Sequence, residues 1–212
     1  GTFLCTSCRN ALLRVPPQCF VCRAWVPPQH AIPAGRTCLQ CRPHSAVYAF
    51  LSPFSYQQDA MRALIHSLKY KRNREIIPLI ADMTISYLAA MRAVVPKDAV
   101  MAPIPLHKAR ERMRGFNQSS LIAKHLGQRL MVEVREDALR KTKKTIPQME
   151  LHRKDRLRNI TNSFAVSDPL LVQDKTLVLV DDVKTTGATI EEAAHVLKQA
   201  GAKRIWAITV AH

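Results

Sequence analysis

The apolar positions of this chain change rhythm several times, and each rhythm predicts an element. Leu177 to Val180 is an unbroken aliphatic run, the mark of a strand buried on both faces of a parallel sheet. Behind it, Ile190, Ala193, Ala194 and Leu197 recur at helical spacing, and Gly201 closes the pattern as a C-cap. Met61, Leu64, Ile65 and Leu68 share one face of a helix over 59–71. A core-facing helix follows at 76–93, where Pro78, Asp82 and Arg92 interrupt an apolar stretch. Residues 99–105 read as a short buried strand stopped by Pro103 and Pro105. A helix over 117–130 turns Leu121, Ile122, Leu126 and Leu130 inward. Shorter runs predict an entry strand at 46–51, an edge segment at 132–139, a return to the sheet at 164–166 and a last strand at 205–210. Strands alternating with helices define an α/β fold with a parallel sheet.

Two segments lack this periodicity. Residues 140–163 are polar and basic, and a segment this long between strands is more often functional than idle. Residues 1–45 contain all six cysteines, in three C-x-x-C pairs, and prolines at 16, 17, 27, 28 and 33 that leave little room for helix. Cys19-x-x-Cys22, a gap of fifteen and Cys38-x-x-Cys41 match a four-thiolate zinc site. Cys5 and Cys8 either complete a second site with a C-x-x-C further upstream or pair with Cys19 and Cys22. The chain is thus read as a zinc ribbon over 1–45 and an α/β domain over 46–212. Cysteine confined to metal-type pairs, with neither a signal peptide nor a membrane-length apolar run, implies a reducing, cytoplasmic setting.

Chemistry concentrates after the buried strand, in Asp181-Asp182-Val183-Lys184-Thr185-Thr186-Gly187-Ala188-Thr189. Two carboxylates belong at the strand's carboxyl end. The hydroxyl-rich turn then leads into a helix start, whose N–H groups and positive dipole end form an anion cradle. A threonine cap alone accounts for one hydroxyl, not for three around a glycine beside two acids. Neither G-x-x-x-x-G-K-[ST] nor G-x-G-x-x-G occurs.

Charge sharpens the picture. The formal net charge is +16, and 13 of those charges lie in residues 69–74, 107–114 and 139–158. A polyanionic ligand or partner is expected. The stretch Leu106-His107-Lys108-Ala109-Arg110-Glu111-Arg112-Met113-Arg114 reads as a basic loop joining a strand's carboxyl end to a helix, on the same side as the acid pair. Its arginines suit bidentate contact with phosphate oxygens.

The 177–190 stretch resembles the signature of type I phosphoribosyltransferases, which use phosphoribosyl pyrophosphate (PRPP). Pro103-Ile-Pro-Leu106 followed by basic residues, Arg114-Gly-Phe-Asn-Gln118, Leu68-Lys69-Tyr70, the pattern Thr145, Pro147-Gln148, Leu151, Arg156, Asn159 and Phe164, and the N-terminal zinc ribbon together resemble the ComF family. The resemblance spans essentially the whole chain. It implies a type I phosphoribosyltransferase-like sheet flanked by helices. It implies that Asp181 and Asp182 face the ribose hydroxyls as the catalytic pair, while Val183 to Thr189 hold the 5′-phosphate. Lys69, His107, Lys108, Arg110, Arg112 and Arg114 would complete the PRPP site around Mg²⁺, and 140–163 would be a hood. It further implies a role in natural transformation alongside DNA-uptake proteins, with single-stranded DNA held by Lys69, Lys71, Arg72, Arg110, Arg112, Lys143, Lys144, Arg153 and Arg156. Tyr70, Phe116, Trp25 and Trp206 are the candidate base stackers. A transferase with an unknown acceptor and a PRPP-sensing regulator remain open beside that reading.

Overall fold

The computed structural model describes residues 3–27, 33–143 and 162–212. A short helix α1, Thr6–Asn10, precedes the cysteine knuckles. The sheet then begins with β1, Ala49–Leu51, followed by helices α2, Asp59–Tyr70, and α3, Ile76–Ala90. Strand β2, Val100–Pro103, leads through helices α4, Lys108–Arg114, and α5, Gln118–Leu130, to a two-residue strand β3, Glu133–Val134. Strands β4, Leu139–Lys141, and β5, Phe164–Val166, come next. Strand β6, Thr176–Val183, helix α6, Ala188–Gln199, and strand β7, Arg204–Ala211, complete the fold.

Strands β1, β7, β6, β2 and β3 form one sheet in that order, and every pairing is parallel. β6 lies at the centre because it is the stretch that tolerates burial on both faces. Val178 and Val180 join Met101, Ile208 and Val210 on one face, under α2, α3 and α5. Leu177 and Leu179 join Val100, Ala102, Ile205 and Ala207 on the other, under α6. α2 buries the four residues its spacing singles out, Met61, Leu64, Ile65 and Leu68. On α5, Ile122 and Leu126 are buried, while Leu121 and Leu130 are half-buried.

From the central pair the chain runs in opposite directions, β6 through α6 to β7 on one side and β2 through α5 to β3 on the other. That reversal creates a crevice at the carboxyl ends of β6 and β2, the place where open α/β sheets take ligands.

Several sequence expectations change. The entry strand is only Ala49–Leu51, because Ala46 and Val47 are held by side chains: Thr37 Oγ1 donates to the Val47 carbonyl and the Ala46 amide to Glu191, and only from Tyr48, whose amide donates to the Ile205 carbonyl, does the chain meet β7. Residues 132–139 divide between two separate strands. Residues 164–166 do not rejoin the main sheet. They pair antiparallel with Leu139–Lys141, in a register that sets Lys141 against Phe164. Residues 144–161, with most of the expected hood, lie outside the described residues.

The cysteine segment is interlocked with the sheet edge. Arg14 bridges to Phe54 and Arg36 to Ala49, the Phe50 amide donates to the Gly35 carbonyl, and Phe20 packs edge-on to Phe50 at 5.5 Å.

Candidate phosphate site and cysteine cluster

The acid pair ends the central strand, but it lies inside the strand rather than beyond it. β7 continues alongside, so Asp181 stays in register with Thr209 and Val183 with Ala211. Carboxylates are tolerated there because each has a partner. Asp181 Oδ1 accepts from Ser119 Oγ at 2.8 Å and from the Asp182 amide at 2.9 Å. Asp182 Oδ2 lies 2.8 Å from the Lys69 ammonium, in an ion pair that leaves the two side chains 18% and 5% exposed. Lys69 reaches the pair from the last turn of α2, and Ser119 from the first turn of α5, which Asn117 caps by accepting from the Ser119 amide.

This packing sets the protonation of the site. Burial, reinforced by the negative charge of Asp182, pushes Asp181 from 3.8 up to about 7, against the pull of Lys69 and Ser119. Burial works against the Lys69 ammonium, yet Asp182 outweighs it and raises its pKa. Burial lowers the pKa of Arg114, while Asp182 and Asp181 oppose that shift.

The basic stretch after β2 is a helix, not a loop. His107 caps it, its Nδ1 accepting from the Ala109 amide at 3.2 Å, and seven good helix formers follow. Gly115, in the left-handed region at φ 83°, ends it. Helical spacing divides the four cations. Arg110 and Arg114 are half-buried on the inner face, where Arg114 feels the charge of the acid pair and Arg110 the nearby cations Arg114 and Lys141. Lys108 and Arg112 are exposed and, with Glu111 and Gly115, line an outer cleft of about 290 Å³. Arg72 and Arg74 reach across to donate to the Met113 and Gly115 carbonyls, at 2.6 and 2.8 Å, so Arg72 serves as a cap for this helix.

In the turn after β6, Gly187 has φ 87° and caps α6, and Thr186 Oγ1 accepts from the Ala188 amide at 3.3 Å. The open end of α6 points its first-turn N–H groups at the turn beside Asp181. Thr185 and Thr189 are half-buried at its rim, while Ala188 is buried in the core. Lys184 departs from expectation. It is 4% exposed, with its ammonium over the Phe20 ring at 4.8 Å and the Phe50 ring at 5.2 Å. Its side chain faces the cysteine segment. Burial, with the charge of Arg23, brings it down to about 8.

Two residues at this crevice escape sequence reading. Ser119 is visible only as a hydroxyl in a helix's first turn. Lys141 lies in a basic stretch, yet β4 carries it in beside Arg110 and Asp181. Burial, and then Arg110, lower it to about 8. Lys71 is exposed at the end of α2 and Lys143 is exposed beyond β4. Lys144, Arg153 and Arg156 lie outside the described residues. Of the proposed stackers, Phe116 and Trp206 are core residues at 7% and 3% exposure, while Trp25 and Tyr70 are exposed.

The cysteines resolve into one cluster. Cys19, Cys22, Cys38 and Cys41 place their sulfurs within 4.8 Å of one another. Four thiolates around a tetrahedral zinc, at about 2.3 Å each, stand about 3.8 Å apart. The Cys22 and Cys38 sulfurs are 3.8 Å apart, and the Cys38 amide lies 3.5 Å from the Cys19 sulfur. The donor set and its spacing fit a metal such as zinc. Burial opposes ionisation of Cys19, but the amides of Cys38, Cys22 and Val21 outweigh it and bring the thiol down to about 7. Cys5 and Cys8 are exposed and stand apart from this cluster, with the Cys5 sulfur 3.0 Å from Ser7 Oγ.

A five-stranded parallel sheet with a carboxyl-edge acid pair and a threonine-glycine cradle defines a phosphoribosyltransferase-like fold. The family model described as "Phosphoribosyl transferase domain" matches residues 115–212. The DNA utilization protein YhgH of Salmonella typhi is 31% identical over 212 residues, covering 97% of this chain and 89% of that protein. The competence protein ComFC of Bacillus subtilis is 27% identical over 212 residues, covering 93% of this chain and 79% of its own length. Competence protein F of Haemophilus influenzae is 33% identical over 104 residues, covering 49% and 45%. The chain belongs to the ComF family of phosphoribosyltransferase-like proteins. Among the described residues, no helix is long and apolar enough to cross a membrane.

Proposed function

We propose that this protein binds PRPP with Mg²⁺ in the crevice between β6 and β2, and that it acts in DNA uptake during natural transformation, where it handles incoming single-stranded DNA. The observation that carries the ligand reading is the Asp181–Asp182 pair, set beside the Thr185–Thr189 cradle and faced by Lys69, Arg110, Arg114 and Lys141. In this reading the acids meet ribose hydroxyls, the cradle takes the 5′-phosphate and the inner face of α4 takes the pyrophosphate. Carboxylate oxygens suit Mg²⁺, which keeps most of its waters and would neutralise pyrophosphate charge here. The names of the relatives, a DNA utilization protein and two competence proteins, support the cellular role.

Turnover is a second reading, favoured by Asp181, whose pKa of about 7 suits a group that exchanges a proton near neutrality. Pyrophosphate release on incubation with PRPP and cell extract tests it. PRPP binding without release leaves a sensor or a DNA-handling protein. For the binding reading, calorimetry with PRPP and Mg²⁺ should show saturable heat. Replacing Arg110 and Arg114 by glutamine should weaken affinity by ten-fold or more, and unchanged affinity would remove α4 from the site.

A further inference from the structure

A second cationic cleft lies at the opposite, amino edge of the sheet. It is about 140 Å³ and is bounded by Arg42 and Tyr48 on one side and by Lys198, Lys203 and Arg204 on the other. Arg36 approaches the same tyrosine. The guanidinium carbons of Arg36 and Arg204 sit 4.8 and 5.1 Å from the Tyr48 ring centroid, which fixes both side chains.

The anchoring of these cations is informative. Arg42 Nε donates to the Thr37 carbonyl at 3.0 Å, leaving its terminal nitrogens for another acceptor. Lys198 donates to the carbonyls of Ala202 and Lys203 at 2.9 and 3.1 Å. Each is oriented by a neutral group, so its charge is not cancelled. Lys69 differs, because Asp182 neutralises it. The Glu191 carboxylate beside the cleft already serves Ser45 Oγ, the Ala46 amide and His195, at 2.7, 2.6 and 3.3 Å. Gathering fixed, unneutralised cations costs self-repulsion, which an anion relieves. The cleft is smaller than the roughly 300–1,000 Å³ of pockets that enclose a small ligand. It suits a single phosphate group held as one point of a longer chain.

From this geometry we infer that the Arg42–Tyr48–Arg204 cleft binds a backbone phosphate of single-stranded nucleic acid, on the far side of the sheet from the acid pair. The inference rests on the proposed DNA-handling role and gives that role a surface of its own. Strand and PRPP can then be held together, one at each edge.

The test uses the full chain and a fluorescein-labelled oligothymidylate, followed by anisotropy at two salt concentrations. Lys203→Glu with Arg204→Glu should weaken binding at least ten-fold. The salt slope should become shallower by about 0.7, the share of one phosphate contact on a single strand. Arg42→Glu, from the cysteine side of the cleft, should act in the same direction. PRPP affinity should stay at the wild-type value in both variants. Arg92→Glu with Lys97→Glu makes the same charge change at two exposed positions elsewhere and should weaken the oligonucleotide far less. Equal losses in the two double variants would show a general charge effect and overturn the site. Full displacement of the oligonucleotide by inorganic phosphate at equal phosphate concentration would mark a small-anion site instead. Wild-type protein that ignores the oligonucleotide at low salt removes both the DNA-handling role and this surface. Retained binding in the cleft variants removes the surface alone.

Discussion

Asp181 shows how much of the site depends on residues that arrive from elsewhere in the chain. The sequence marks it at the carboxyl end of a buried strand, and it lies there, still within the strand. Its near-neutral behaviour comes from burial and the charge of Asp182, held in check by Lys69 and Ser119, and these groups converge from three elements. Ser119 and Lys141 are illegible in sequence for the same reason, since their chemistry exists only once α5 and β4 are in place. A prediction follows from linkage. The folded pKa of Asp181 is raised to about 7 from 3.8, so between those values the folded chain binds more protons than the unfolded one. Stability should therefore fall as pH rises through that window, by an amount on the order of a few kcal/mol at about 1.4 kcal/mol per unit. Asp181→Asn should flatten this dependence and melt higher than wild type at pH 8. Melting curves at pH 5 and pH 8 check it, and a variant whose pH dependence matches wild type would contradict the burial argument. Lys69→Met should do the opposite at neutral pH, because it strands a buried Asp182 carboxylate at a cost of about 3–5 kcal/mol.

At the scale of elements, strong periodicity was easy to read and short elements were not. α2, α5 and α6 follow their apolar spacing to within two residues at each end, and β6 runs three residues past its apolar run, through the acid pair to Val183. α4 looked like a loop because its seven residues carry no apolar stripe, and only the His107 and Gly115 caps betray it. The antiparallel partner of β5 was hidden because three-residue strands have no period to recognise. The least legible feature is the join between the cysteine segment and the cradle. A Cβ on Gly187 would stand 2.9 Å from Phe20 Cζ and 3.0 Å from Lys184 Cε. Phe20 follows the ligand-type residue Cys19 directly, so the knuckle buttresses the turn that is proposed to hold phosphate. Cys38→Ser should lose one equivalent of zinc per chain by metal analysis. It should also lower PRPP affinity, although Cys38 is on another element from the cradle. Zinc retained in Cys38→Ser together with Cys41→Ser would contradict the four-sulfur assignment. Phe20→Ala, with the metal still bound, should reproduce the loss of affinity in calorimetry.

At the scale of the whole molecule, the described residues gather cations at two edges of the sheet with different chemistry. At the carboxyl edge, cations face carboxylates and a helix terminus, the arrangement proposed to take PRPP. At the amino edge they face one another across a shallow cleft. The sequence revealed the charge and its three densest stretches but not this second edge, because Arg36, Arg42, Lys198, Lys203 and Arg204 are scattered along the chain. The central claim concerns the carboxyl edge, and calorimetric titration with PRPP and Mg²⁺ tests it most directly. Wild type should bind saturably. Asp181→Asn with Asp182→Asn should bind at least a hundred-fold more weakly while keeping its circular dichroism spectrum and its zinc. Wild-type protein that takes up no PRPP, or a folded double variant that binds it as wild type does, would contradict the account.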